Sequence, residues 1–208
     1  MQLDFSALSK NERYHLMTQT IIPRPIAWAL TASDEGIASG DYNLAPFSYF
    51  SAISAEPALL MISLAKKPNG EIKDTLTNVL KNKKMVIHIA SNDQAELVTQ
   101  TAATLDYGES ELANTALTTT PFEDFALPRL TQCNVAYGCE LYEIKEIGET
   151  PQTLIFLEVK HLYLNEAVLR SENPERITIA AEKVDPLARL GGGEYASVGA
   201  PYRLKRPD

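Results

Sequence analysis

Lys73-Asp74-Thr75 stands directly ahead of Leu76, Val79 and Leu80, whose i, i+3, i+4 spacing predicts a helical face. At the start of such a helix the unpaired backbone N–H groups, the positive end of the dipole, the Lys73 ammonium and the Thr75 hydroxyl can converge on one phosphate. The same residues also read as a cap, with Asp74 or Thr75 satisfying the helix's own first N–H groups. Residue types alone favour the cap. Arg24 is a second cation whose competing role is a structural ion pair. Nucleophilic chemistry has little support, because no serine sits in a G-x-S-x-G elbow and His15, His88 and His161 have no recognisable partners. His88, inside an apolar run, reads as a satisfied core histidine. Gly191-Gly192-Gly193 does not join a strand to a helix, so it reads as a turn and not as a dinucleotide fingerprint.

The elements that must position these residues follow from periodicity. Ser9 to Gln19 reads as a short helix that stops before Pro23. Ile26 to Ser33 is an apolar strand run, and Asp34-Glu35-Gly36 reads as the turn of a hairpin to the next extended piece. Pro46 bars Asn43 to Ser48 from the middle of a sheet, so an irregular segment is expected there, with a strand resuming over Tyr49 to Ile53. Ala58 to Ala65 and Met85 to Ser91 read as buried strands, flanking the helix that follows Lys73. A capped helix is expected over Asp93 to Thr101. Asp106 to Pro128 reads as loop with one helix over Glu109 to Leu117. Asn134 to Ile147 and Thr153 to Leu164 read as two long strands of a hairpin turning over Gly148 to Pro151. A mostly antiparallel barrel or sandwich is the expected class.

Bulk properties bound the function. At 208 residues, with 45% hydrophobic and 22% charged side chains, the chain is expected to form one globular domain, with a core over about 20–165 and an extension over about 166–208. A net charge of -8 disfavours general nucleic-acid binding. No apolar run is long enough to span a bilayer and no signal pattern opens the chain, so a cytoplasmic location is expected. Cys133 and Cys139 fall in one stretch of alternating apolar residues, read as one strand, so no disulfide is expected. No metal-ligand spacing is present.

Pro23-Arg24-Pro25-Ile26-Ala27-Trp28, Thr31, Gly36, Asn43-Leu44-Ala45-Pro46-Phe47-Ser48, Pro57 and Lys73-Asp74-Thr75 occur in order and in register. This set resembles the flavin reductase-like FMN-binding split-barrel family, in particular the branch of flavoredoxins and two-component monooxygenase reductases. The match runs from about Pro23 to Val159, and the closing Arg189 to Tyr195 segment is also similar. The resemblance implies a mainly β chain with peripheral helices, folded as an antiparallel split β-barrel that binds FMN at a homodimer interface. It further implies hydride transfer from NADH or NADPH and onward electron delivery to an oxygenase or other acceptor.

Within that family the matched residues take definite expected roles. Pro46 frees its neighbours, Ala45 among them, from sheet pairing, so that backbone donors and acceptors can face the flavin edge. Asn43 and Ser48 add side-chain hydrogen bonds, and Phe47, Tyr49 or Trp28 covers the ring, with core packing the competing role of each aromatic. Lys73, Asp74 and Thr75 hold the phosphate, joined by Arg24, while Ser63 serves phosphate or ribityl and Thr31 belongs to the matched set. Arg189 and Tyr195 close over the flavin or anchor the tail. Hydride transfer to a flavin needs no protein nucleophile, so no catalytic residue is expected. Shorter family members carry His before a strand ending Gly-Glu-Val, where this chain has Gln152-Thr153 and then Leu157-Glu158-Val159. That departure motivates an alternative, an FMN carrier or sensor without efficient nicotinamide turnover.

Overall fold

The computed structural model describes residues 1–149, 151–170, 176–205 and 207. In chain order the elements are α1 (Lys10–Thr20), β1 (Ala27–Ala32), α2 (Asp34–Ser39), β2 (Tyr42–Phe47), β3 (Phe50–Ala55), β4 (Ala58–Leu64), α3 (Asp74–Asn82), β5 (Lys84–Ile89), α4 (Ala95–Gln100), β6 (Thr119–Thr120), β7 (Arg129–Leu130), β8 (Val135–Ile147), β9 (Gln152–Leu164), α5 (Ala181–Val184), β10 (Ala188–Arg189) and β11 (Tyr195–Ala196). Seven strands form one antiparallel sheet in the order β2-β1-β5-β8-β9-β4-β3. Among the described residues no helix is long and apolar enough to cross a membrane.

The sequence Ala27–Ala32 is buried throughout because both faces of β1 are covered. Its alternation sends Trp28, Leu30 and Ala32 into one core, with Leu44, Val86 and Leu130, and Ala27 and Ala29 into another, with Ile62, Met85 and Ile155. The two cysteines also divide between these cores, but Cys133 lies ahead of β8 instead of on the same strand as Cys139. Both thiols are free, and burial pushes each up to about 12.

Three sequence expectations need correction. The β1–β2 connection is a short helix, not a tight turn: Ser33 accepts from the Gly36 N–H at 2.9 Å, and Gly40 ends α2 at φ 84°. A Cβ at Gly36 would lie 2.3 Å from the Asp41 carbonyl oxygen, which accounts for the glycine. Asn43 to Phe47 is regular strand, with Pro46 opposite Trp28; β2 is a sheet edge, where a missing N–H removes no ladder bond on the outer side. The helix expected over Glu109 to Leu117 is only a 3₁₀ turn, Glu111–Asn114, because its polar residues offer no continuous apolar face. In the β8–β9 turn, Thr150 lies outside the described residues.

His88 is the satisfied core histidine expected. Its Nδ1 lies 3.0 Å from the Trp28 carbonyl and its Nε2 accepts from the Leu130 N–H at 2.8 Å, an arrangement that needs the neutral ring. Burial lowers its pKa from 6.5 to about 4. The unfolded chain therefore binds the extra proton first as pH falls, so stability is complete above 6.5 and declines toward pH 4. Denaturant melts across that window check the slope, and His88→Gln should flatten it.

Candidate functional site

A cleft of about 750 Å³ opens where β2 hands over to β3. Its floor is Pro46, Phe47, Ser48 and Tyr49; the end of β4 contributes Ser63, Leu64 and Ala65; Lys73 and Gln152 stand at its sides. The opposite wall is one face of α1. In a chain of net charge -8, the lining carries Lys10, Arg13 and Lys73 and no carboxylate. Such a cleft favours an anionic ligand with an apolar body.

Lys73 is the N-cap of α3 but offers no side-chain cap. Neither does its neighbour Asp74, whose carboxylate pairs with the Lys67 ammonium at 2.7 Å, nor Thr75, whose hydroxyl donates to Asn43 Oδ1 at 2.9 Å. The capping role is thus replaced, and among the described residues the Asp74 and Thr75 backbone N–H groups make no hydrogen bond. They remain available to an anion. The Lys73 ammonium lies 5.7 Å from the Phe47 ring centroid, and burial, then the Lys67 charge, lowers its pKa. Asp74 and Glu111 pull the other way, but among the described residues Lys73 forms no salt bridge, and a half-buried ammonium so placed is costly and is relieved by a bound anion.

Behind Lys73 a smaller pocket of about 40 Å³ reaches Ala45, Asp74, Thr75 and Glu111. Glu111 ties this region together. Its oxygens accept from Asn43 Nδ2 at 2.9 and 3.0 Å and from the Leu44 N–H at 2.8 Å. Asn43 Oδ1 in turn accepts from Thr75 and, at 3.2 Å, from Thr31, which accepts from Asn78 Nδ2 at 3.3 Å. This buried chain joins β1, β2 and the first turn of α3. Burial pushes the Glu111 carboxyl up, and the N–H groups aimed at it pull the other way.

The residues expected from sequence therefore divide. Pro46, Phe47, Ser48, Tyr49, Ser63 and Lys73 meet in the cleft, with Ala45, Asp74 and Thr75 beside it. Five others are engaged elsewhere. Trp28 is fully buried on an inner strand and donates Nε1–H to Thr101 Oγ1 at 2.8 Å, which leaves it no exposed face. Thr31 and Asn43 are spent inside the polar chain, Asn43 on both its amide groups. Arg24 is engaged with the chain itself: its guanidinium donates to the carbonyls of Thr18, Ile21 (2.9 Å) and Leu190 (2.8 Å) and to the Ser48 hydroxyl at 3.4 Å, and so fastens α1 to the tail. Arg189 donates to the carbonyls of Gly192 and Glu194 and stacks 4.6 Å from the Tyr195 ring, contacts within the tail, in a pocket that adjoins the cleft through Tyr14, Pro46 and Ser48.

Sequence reading missed Glu111 and the α1 wall. Glu111 sits in a polar loop 67 and 68 residues from its partners, with no local signal. The α1 face was legible in principle, as Lys10, Arg13, Tyr14 and Met17 repeat at i, i+3, i+4, i+7.

A family model described as the flavin reductase like domain matches residues 18–185. The chain is 33% identical to YwrF of Bacillus subtilis over 204 residues, covering 96% of each. It is similar to nitrilotriacetate monooxygenase component B from Bacillus cereus, with 29% identity, a TM-score of 0.87 and 98% of both chains covered. A protein with a split barrel domain from Shewanella frigidimarina is 20% identical over the whole of both chains with a TM-score of 0.83, which shows the fold. The seven-stranded antiparallel sheet is that of a split barrel.

Proposed function

The chain belongs to the flavin reductase-like domain family, and from that premise we propose that it binds FMN in the α1–β2 cleft and uses NADH or NADPH to reduce it. The observation that carries this reading is the cleft itself, of a volume ordinary for cofactor sites, apolar along its floor, with the Lys73 ammonium at the start of α3 and no carboxylate in its lining. Lys73 and the free N–H groups at the start of α3 suit the terminal phosphate. Ser63 and Ser48 suit the ribityl hydroxyls, while Pro46, Phe47 and Tyr49 suit the ring.

When bound, the flavin supplies the redox chemistry, accepting hydride and releasing electrons. The chain's own residues bind, orient and shield. Phe47 and Pro46 fix the depth of the ligand from a sheet edge braced by Glu111 and Asn43, and α1 limits water from the other side. No side chain in the lining is required to move a proton or attack.

We further propose that the working form is a homodimer. Five of the six β3 residues are exposed on an edge strand, with Ile53 among them, and Tyr142 and Ile147 are exposed on the outer half of β8. Unpaired edges of this kind favour coverage by another chain. The likeness to component B of a monooxygenase supports an oxygenase as downstream electron acceptor, with other acceptors of the flavoredoxin kind open to the same chemistry.

The test is anaerobic mixing of FMN-loaded protein with NADH or NADPH. The flavin absorbance band should bleach. A band stable to both nucleotides but bleached by dithionite would instead establish the carrier or sensor reading, which the neutral Gln152 at the side of the cleft favours.

A further inference from the structure

The helix α1 has few local reasons to be where it is. Of its eleven residues only Thr18 is buried, so hydrophobic packing holds it weakly. It is fixed instead by polar and steric contacts at its carboxyl end. Arg24 grips the Thr18 and Ile21 carbonyls, and Gln19 packs so closely on Gly191 that a Cβ there would lie 2.3 Å from Gln19 Cγ. One face of the helix is thereby held across the cleft from Phe47 and Lys73. That face is Lys10, Arg13, Tyr14 and Met17.

Its charge is placed against the ordinary rule. Cations in the first turns of a helix oppose the dipole, whose positive end favours carboxylates. The one acid of that turn, Glu12, is occupied with the capping box, accepting from the Ser9 N–H at 2.8 Å and the Ser9 hydroxyl at 2.6 Å. Among the described residues neither Lys10 nor Arg13 forms a salt bridge. Tyr14 and Met17 stay 54% and 40% exposed beside them, an aromatic face and a polarisable thioether open to the cleft.

The cleft therefore has two cationic walls. FMN has one phosphate, matched by Lys73 and the start of α3. We infer that the second wall, Lys10 and Arg13 of α1, is the seat for the phosphate groups of the nicotinamide dinucleotide, with Tyr14 and Met17 offering the adjoining planar contact. This rests on the FMN reading above. It assigns the α1 wall to the hydride donor and the α3 wall to the flavin.

The double variant Lys10→Gln/Arg13→Gln tests the assignment, with a thermal melt to confirm that these exposed changes leave the fold intact. Calorimetric titration of FMN-loaded protein with NAD⁺ and NADP⁺, which bind without reducing, should show affinity about ten-fold or more weaker in the variant. Its salt dependence should shrink, and FMN affinity should stay unchanged. Equal losses for both nucleotides place the pyrophosphate on this wall, and a loss confined to NADP⁺ places the 2′-phosphate there. Unchanged dinucleotide affinity, or a loss of FMN affinity in its place, overturns the assignment. A wild-type chain that takes up no FMN overturns the reading beneath it, and is distinguished because the first titration of the series already fails.

Discussion

Glu111→Ala lowers the stability of the folded chain by about 3–4 kcal/mol, because it strands the buried donors of Asn43 Nδ2 and the Leu44 N–H. Every group facing this carboxylate in the polar chain is a donor, so Glu111→Gln does not rescue: an amide must turn an N–H against Asn43 or Leu44. The damage extends to ligand binding. Asn43 holds the Thr75 hydroxyl at the start of α3, and Leu44 precedes the cleft-forming Ala45 to Ser48, so loosening either displaces both phosphate seat and floor. Chemical denaturation gives the stability change, and FMN titration well below the melting temperature gives the loss of affinity. A glutamine variant as stable as the parent would show that the carboxylate's charge is not what the site uses.

Lys73→Ala raises the FMN dissociation constant about 30-fold or more while leaving the melting temperature of the ligand-free chain nearly unchanged. The two halves of this expectation have one cause. Burial, then Lys67, disfavours the Lys73 charge by more than the nearby Asp74 and Glu111 carboxylates favour it, and among the described residues no salt bridge repays it, so the empty fold loses little when the ammonium goes. A bound phosphate does repay it. Riboflavin, which lacks the phosphate, should bind parent and variant alike. An equal loss for riboflavin and FMN would mean that Lys73 acts by shaping the Phe47 face, over which its ammonium stands at 5.7 Å.

What the sequence disclosed was what short spacing can carry. The alternation in β1, the Leu76-Val79-Leu80 face of α3 and the long β8–β9 pair were legible because each is a local pattern. Phe47, Ser48, Ser63 and Lys73 were traced to one site through the family resemblance, and the fold brings them to one cleft. Where single residues could serve either core or ligand, the chain did not decide. Trp28 went to the core because β1 is an inner strand of the sheet, which its five apolar residues suggest but its neighbours must supply. Arg24 went to backbone carbonyls on α1 and in the tail, one of them 166 residues away, a distance no motif spans. Pro46 read as a break because a proline inside a sheet is costly, yet an edge strand removes that cost, and being an edge is a property of topology. Glu111 had no signal at all, since a lone acid in a polar loop looks like solvated surface until its partners are known.

Everything proposed here depends on the binding of one FMN in the cleft between α1 and β2, phosphate toward Lys73. Its most direct test is equilibrium titration of the purified chain with FMN and with riboflavin, followed by flavin fluorescence. Saturation at one FMN per chain, with riboflavin bound markedly more weakly, is the result expected from the Lys73 seat and the cleft floor. No saturable change with FMN, or riboflavin bound as tightly as FMN, would contradict it.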